Sequence, residues 1–175
     1  MRQGSTACVF LLATQTWSQH HWSQHKAAFL LRVLGSLTDQ LAKLGVPLQI
    51  LDAPNFDDAP GHLLKFSREI GAKKLFFNRE YPVDEKVRDE RVHNTLEENG
   101  IECEPHDSFL VFPPNSILKD DGHPYSVFTP FKRKWLSKAE GEGLRSLPCP
   151  RPQQSRVLET KIPGEILSTR ANFGQ

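Results

Sequence analysis

Two adjacent carboxylates, Asp84 and Glu85, lie at a predicted helix start, where acids most often stabilise the helix and can also bind a ligand. They follow Pro82 at the start of a charged segment, and the apolar run Leu75–Phe77 lies just before them, ending in a polar turn at Asn78. Proline suits the first turn of a helix because its missing N–H has no intrahelical partner there. Carboxylates in that turn can accept hydrogen bonds from a ligand, or they can simply complement the positive end of the helix dipole.

A strand, a turn and a helix N-terminus are therefore predicted around these acids. In an open α/β sheet, ligands bind beyond the carboxyl ends of the strands, at turns of this kind. The rest of the chain supports such a sheet, because short apolar runs alternate with segments of helical periodicity. The run Ala7–Ala13 is apolar throughout, which is typical of a parallel strand that is covered on both faces.

The remaining predicted elements follow in chain order. Further strands are predicted at Leu48–Leu51, Leu75–Asn78, Ile101–Glu104 and Phe109–Phe112. Three helices are predicted from Ser23 to Gly45, from Gly61 to Ile70 and from Pro82 to Asn99. A fourth helix is predicted to begin after a cap at Thr129, with Pro130 in its first turn. Loops are predicted at Thr14–Trp22 and Asp52–Pro60. The first of these helices presents one apolar face, formed by Leu30, Leu34, Leu37, Leu41 and Leu44. On the last helix, Phe131 and Trp135 are four residues apart and are predicted to face the core together.

Composition narrows the class of protein. Of the 175 residues, 38% are apolar and 25% are charged, which is ordinary for a soluble domain. The net charge of +1 divides into +3 for residues 1–50, −5 for 51–105 and +3 for 106–175, so no part is basic enough to indicate nucleic-acid binding. No run is long enough to span a membrane, and no signal peptide is recognisable, so a cytoplasmic protein is predicted.

Other groups of residues give weaker evidence for a functional site. The three cysteines, Cys8, Cys103 and Cys149, form no C-x-x-C pair, and the first two are predicted to be small buried hydrophobic residues. His20, His21 and His25 lack a carboxylate or cysteine at ligand spacing, so no metal site is predicted. The basic triplet Lys132–Lys134 is predicted to be a solvated helix face. No G-x-S-x-G elbow, G-x-G-x-x-G or Walker loop is present, and no catalytic residue is assigned.

Three motifs, in order and spacing, resemble one family. They are Phe77–Tyr81 running into Asp84–Asp89, Leu110–Pro114 and Tyr125–Phe131, and a fourth match lies near the start, where Ala13 and Thr14 precede Trp17, His20 and Ser23. From about Ala7 to Leu144 the chain resembles the N-terminal domain of DNA photolyases and cryptochromes. It is most similar to the bacterial cyclobutane-dimer photolyases that use a folate antenna.

The resemblance implies a Rossmann-like, three-layer α/β fold with a parallel sheet that lacks its first strand and helix. It also implies an incomplete antenna domain at 7–143. The small polar residues at 1–6 predict a frayed N-terminus, and the polar, proline-rich composition of 144–175 predicts an interdomain linker or disordered tail. The family's strand order is 3-2-1-4-5, and strand 1 is the one without a counterpart here. Val9–Leu12 and Leu75–Asn78 are therefore predicted either to pair directly or to flank a gap filled by Met1–Thr6.

The function implied is that of an antenna-chromophore domain from a light-dependent DNA repair enzyme, a deoxyribodipyrimidine photolyase. The family's helical domain, which binds FAD and the lesion, has no counterpart in this sequence, so the chain is expected to bind no FAD and to be inactive alone. The alternative is a free-standing α/β interaction module derived from such a protein. A nucleotide-binding protein of the wider α/β superfamily is a third possibility, disfavoured by the missing glycine-rich phosphate loop.

The resemblance also assigns the two carboxylates. Folate-binding relatives hold the antenna, 5,10-methenyltetrahydrofolate, partly through an Asn-Glu pair at this helix start; Glu85 matches the glutamate, and Asp84 stands in place of the asparagine. A carboxylate only accepts hydrogen bonds, whereas an amide also donates them, so weak folate binding is expected. The expected partner is a separately encoded FAD domain, with DNA contacted only through that domain and no membrane association.

Overall fold

The computed structural model describes residues 5–143 and 146–153. They form two compact units. Unit 1 contains residues 5–71 and 149–153, and unit 2 contains residues 72–143 and 146–148.

Unit 1 is built around two parallel strands. Its elements are β1 (Cys8–Leu12), α1 (Thr14–Gln19), α2 (Gln24–Lys43), β2 (Leu48–Asp52), a 3₁₀ turn (Phe56–Asp58) and α3 (Ala59–Ile70). Strand β1 pairs with β2 in parallel, with Cys8 opposite Leu48 and Leu12 opposite Asp52. The predicted strands of this unit are confirmed. The predicted loop Asp52–Pro60 instead contains the 3₁₀ turn and the beginning of α3.

Helix α2 covers this pair of strands and begins as predicted. The Ser23 side chain accepts a hydrogen bond from the Lys26 N–H at 3.2 Å, which satisfies one of the donors left over at the helix start. Leu34 is buried in a core with Leu48 and Ile50. The predicted apolar face is wrong at Leu37, which is 38% exposed. Partly buried residues complete the packing against this core: Cys8, Phe10, Leu12, Leu30, Leu31 and Leu41.

The predicted loop Thr14–Trp22 is wrong, because α1 occupies most of it. Tertiary contacts hold this short helix at the carboxyl end of β1. The N–H groups of Gln15 and Thr16 donate to the Pro54 carbonyl at 3.0 and 3.2 Å, and the Thr16 hydroxyl accepts from the Phe56 N–H at 3.2 Å. Local helix propensity takes no account of such long-range hydrogen-bond partners.

Gln153 connects the segment 149–153 to the rest of unit 1 by hydrogen bonds. The Gln153 amide group donates to the carbonyls of Thr6 (2.7 Å) and Gly45 (2.9 Å) and accepts from the Thr6 N–H (2.9 Å). The backbone N–H of Gln153 donates to the Leu44 carbonyl at 2.9 Å. Gly45 has φ +69°, and a Cβ there would lie 2.3 Å from the Gln153 carbonyl oxygen, so this contact requires glycine.

Unit 2 has the second parallel pair. Its elements are β3 (Lys74–Asn78), α4 (Val83–Glu98), β4 (Glu102–His106) and α5 (Phe128–Glu142). Strand β3 pairs with β4 in parallel, with Lys74 opposite Glu102 and Asn78 opposite His106. On α4, Val92 and Leu96 are buried, and Leu96 has no exposed surface at all. Cys103 is also buried, as predicted, and burial is the main cause that raises the pKa of its thiol, whereas the same prediction is wrong for Cys8, which is only partly buried.

Two predictions for the end of unit 2 are wrong. Phe109–Phe112 forms bends rather than a strand, and Phe112 instead packs edge-on against Trp135, with ring centroids 5.4 Å apart. Thr129 lies inside α5, whose N-cap is Val127 without a side-chain hydrogen bond. The predicted pairing of Phe131 and Trp135 on one helix face is confirmed, since both are partly buried and each contacts an aromatic ring.

The parallel α/β organisation is confirmed, whereas direct pairing of the segments Val9–Leu12 and Leu75–Asn78 is not found. Among the described strands, the two ladders are β1–β2 and β3–β4, each with two strands. The other predicted arrangement, a gap filled by the N-terminal residues, depends on residues 1–4, which lie outside the described part of the chain.

A cation on β3 makes unit 2 sensitive to alkaline pH. Lys74 Nζ lies 2.6 Å from Glu102 and 2.7 Å from Glu104, and these hydrogen bonds raise the pKa of Lys74 from 10.5 to about 12. A raised pKa means that the folded state binds the proton more tightly, so the stabilisation is complete below pH 10.5 and is lost as pH rises towards 12.

We therefore expect Lys74→Met to flatten the pH dependence of the free energy of unfolding between pH 10.5 and 12. Denaturant titrations of both proteins across that window measure the difference, and Lys65→Met, an exposed lysine of unit 1, is the control. Parallel curves for the wild type and Lys74→Met would contradict the assignment.

Candidate functional site

The turn between β3 and α4 carries the predicted site and is anchored to β4. The Arg79 N–H donates to the His106 carbonyl at 2.9 Å, continuing the ladder by one step. Asn78, the last residue of β3, accepts a hydrogen bond from the Ser108 hydroxyl. The carboxyl ends of β3 and β4 are thereby held together, at the edge where ligands bind in parallel sheets.

Asp107 fixes one side of this turn. Its carboxylate accepts from Arg79 Nη1 at 2.8 Å and from the Tyr81 hydroxyl at 3.1 Å. Burial and the hydrogen bond to Asp107 raise the pKa of Tyr81, so the phenol stays protonated and continues to donate. The Tyr81 ring is therefore held in one orientation.

Arg88 fixes the other side of the turn. Its Nη2 lies 2.6 Å from Glu80 Oε2 and 2.7 Å from Asp89 Oδ1, and the Glu80 N–H donates to Asp89 at 3.1 Å. Burial opposes the charge on Arg88, but the hydrogen bonds to Asp89 and Glu80 outweigh it, and the pKa of Arg88 is raised. The side chains of Arg88, Glu80 and Asp89 form a partly buried ionic cluster that holds the turn against the first turns of α4.

The predicted carboxylates occupy the first turn of α4, as expected from their position after Pro82. Asp84 is exposed and Glu85 is partly buried. Glu85 precedes Arg88 by three residues and Val92 by seven, so these three share one side of the helix. The structure thus confirms the helix start, and the assignment of both acids to a ligand stays a prediction.

A groove of about 830 Å³ opens on a neighbouring side of α4. It is lined by Phe77, Arg79, Glu80, Tyr81, Lys86, Asp89, Glu90, His93, Asn94, Pro105, Asp107, Pro113 and Pro114. Neither Asp84 nor Glu85 belongs to this lining. The helical part of the groove has a spacing visible in the sequence, because Lys86, Glu90 and His93 follow one another at intervals of four and three residues. The lining residues from the turn and from Pro113–Pro114 lie next to this helical part only in the folded chain.

Two of the other constellations make contacts with neighbouring side chains. His20 packs its ring edge against Phe56, with centroids 6.4 Å apart. In the basic triplet, Lys134 lies 3.5 Å from Asp120. Across the residues that the structure describes, no group of three or more histidine, cysteine, aspartate or glutamate side chains is placed to hold a metal ion.

Comparison with known proteins gives one consistent result. The family model for DNA photolyase matches residues 1–153. A deoxyribodipyrimidine photo-lyase of Vibrio cholerae is 34% identical over 131 residues, which is 75% of this chain and 28% of that protein. The corresponding enzyme of Salmonella typhimurium is 27% identical over 88% of this chain and 32% of its own length. Cryptochrome-1 of Arabidopsis thaliana is 27% identical over 78% of this chain and 20% of its own length.

A solved structure shows the same fold. A bacterial class III photolyase from Agrobacterium tumefaciens superposes with a TM-score of 0.60 at 22% identity, covering 93% of this chain and 32% of that one. The chain therefore spans about a third of the length of the photolyases it matches. Within the described residues, no helix has both the length and the apolar character needed to cross a membrane.

Proposed function

The chain belongs to the DNA photolyase family, and from that membership we propose that it provides the antenna-chromophore domain of a light-dependent DNA repair protein. The observation that carries this proposal is the family match over residues 1–153. The parallel α/β organisation and the strand-turn-helix at β3 and α4 support it, since this is the edge at which an α/β sheet binds ligands. The chain covers about a third of the length of these relatives, and we propose that FAD binding and repair of pyrimidine dimers depend on a helical FAD domain acting together with this one.

The proposed antenna is a folate, 5,10-methenyltetrahydrofolate, bound beside the first turn of α4. Glu85 would accept hydrogen bonds from the donor edge of the pterin ring. Its partly buried position supports this role, because a carboxylate shielded from water binds a donor more strongly than an exposed one. Hydrogen bonds to a charged group contribute roughly 1.5–3 kcal/mol each.

Affinity should be low. Asp84 only accepts hydrogen bonds, and its exposed negative charge repels the carboxylates of a folate. Two contacts on one helix turn hold the ligand on one side only. We expect a dissociation constant in the millimolar range or weaker, about −4 kcal/mol on the affinity scale.

Titration of the purified chain with 5,10-methenyltetrahydrofolate, followed by its fluorescence, tests the proposal. Asp84→Asn should tighten binding, because it restores a donor and removes a charge, and Glu85→Ala should abolish the binding that remains. Glu98→Ala, an exposed acid at the other end of α4, is the matched control and should change nothing. If Glu85→Ala leaves the affinity unchanged, the two acids do no more than stabilise the start of the helix.

A further inference from the structure

The groove on α4 is preformed. Part of its lining comes from the turn between β3 and α4, which is held by Asp107 on one side and by Arg88 on the other. The Tyr81 ring is oriented by its hydrogen bond to Asp107. A rigid site loses little conformational entropy when a ligand binds, so a modest contact area can be sufficient.

The lining of the groove combines apolar rings with an excess of carboxylates. Its apolar part consists of Phe77, Tyr81 and three prolines, Pro105, Pro113 and Pro114. Its charged part has two cations, Arg79 and Lys86, and four carboxylates, Glu80, Asp89, Glu90 and Asp107. This balance disfavours phosphates and other anions and favours a ligand that is apolar and carries a positive charge.

The four carboxylates differ in how easily they can pair with a ligand cation. Asp107, Glu80 and Asp89 are engaged at 2.6–2.8 Å by Arg79 and Arg88. Glu90 is 64% exposed, and its ion pair with Lys86 is 4.0 Å long, at the limit of a salt bridge. A ligand cation can therefore exchange with this weak contact at little cost.

The chain itself contains a segment of matching chemistry. Residues 146–152 read Ser-Leu-Pro-Cys-Pro-Arg-Pro, and all of them are exposed. Leu147 is 91% exposed, the alternate prolines favour a polyproline II conformation, and Arg151 supplies a cation. Gln153 anchors the end of this segment to the loop after α2, so the segment is presented from a fixed point. Residues 146–148, which belong to the same unit as the groove, do not line it.

The lengths also match. From Lys86 to Asn94, the groove follows nine residues of α4, and the eight steps between them span about 12 Å at 1.5 Å each. From Leu147 to Arg151, a polyproline II segment extends about 12 Å at 3.1 Å per residue. Aromatic-lined grooves are the usual receptors for such segments.

We propose that the groove on α4 binds the proline-rich segment 147–151 of a second copy of this chain, with Arg151 paired to Glu90 and the prolines packed on Tyr81. The donor segment and the acceptor groove are different surfaces, so the contact is heterologous. It closes into a dimer if two copies exchange segments reciprocally, and it otherwise gives larger oligomers. This interaction is independent of folate binding, because Asp84 and Glu85 lie outside the groove.

Two measurements test the proposal on the full chain. The first is sedimentation velocity over a range of concentrations, which reports self-association. The second is the fluorescence anisotropy of a labelled synthetic peptide of residues 146–153 carrying Cys149→Ser, titrated with the full chain. A matched peptide with the prolines at 148, 150 and 152 replaced by alanine is the control, and it should bind more weakly because it is not preorganised.

Exchanging the charges of Glu90 and Arg151 tests the proposed ion pair specifically. Glu90→Arg and Arg151→Glu should each weaken self-association about fivefold, as expected for a partly exposed ion pair, and the double variant should restore it. Both sites are exposed, so circular dichroism should show unchanged folding. The proposal is overturned if the peptide fails to bind at roughly 1 mM, the weakest affinity worth assigning to a specific site, or if it binds Glu90→Arg as tightly as the wild type. Self-association that the double variant does not restore also overturns it.

Discussion

Replacement of Arg88 by leucine is expected to destabilise unit 2 by roughly 2–3 kcal/mol. The substitution leaves Asp89 and Glu80 facing each other without their cation, and the Asp89 side chain is only 14% exposed. Removal of one partner from a fully buried ion pair typically costs 3–5 kcal/mol, because the remaining charge is desolvated and uncompensated. The expected value is lower here because the Glu80 side chain is 39% exposed and water can reach it.

Hydrogen exchange followed by mass spectrometry locates this effect, because it resolves the protection of α4 separately from the helices of unit 1. Arg88→Lys should recover part of the loss, since an ammonium group keeps the charge but cannot replace the guanidinium's several directed hydrogen bonds. Lys86→Met is the matched control, because that lysine is 67% exposed and its ion pair is 4.0 Å long. Equal effects of Arg88→Leu and Lys86→Met would show that the cluster does not stabilise the turn.

Leu96→Ala is expected to have an effect at least as large, about 2–5 kcal/mol. Leu96 has no exposed surface, so truncation removes its buried methyl groups from contact and leaves a cavity between α4 and the elements packed against it. Its backbone carbonyl also accepts from the Ile101 N–H at 3.0 Å, which places the cavity next to the start of β4. Local collapse would therefore shift the strand.

Denaturant unfolding of the full chain, read together with hydrogen exchange in β3 and β4, measures this loss. Leu136→Ala on α5 is the control, because that leucine is 42% exposed and its truncation should cost much less. An exchange pattern in which Leu96→Ala leaves β4 as protected as in the wild type would contradict the assignment of Leu96 to the core of unit 2.

The local elements could be predicted where a single signal decides them. The apolar runs become β1 and β2, Ser23 caps α2 with its own side chain, and Pro82 with two acids marks the start of α4. Each of these depends on residues adjacent in sequence, so propensity and capping are sufficient. Prediction failed where a distant partner decides the structure. The Pro54 carbonyl organises α1, and Trp135 draws Phe112 into a ring contact rather than a strand.

The sequence by itself determined the family, the parallel α/β class and the position of Asp84 and Glu85 in the first turn of a helix, because these depend on motif order and on the local signals of a helix start. Only the tertiary structure decided how the turn after β3 is held. Glu80 and Arg88 are eight residues apart, and Tyr81 and Asp107 are twenty-six apart, and no helical or strand periodicity brings such positions together. The groove has the same origin. One wall is a helical stripe that the sequence shows, and the opposite wall is assembled from β3, β4 and Pro113–Pro114 only when the chain folds.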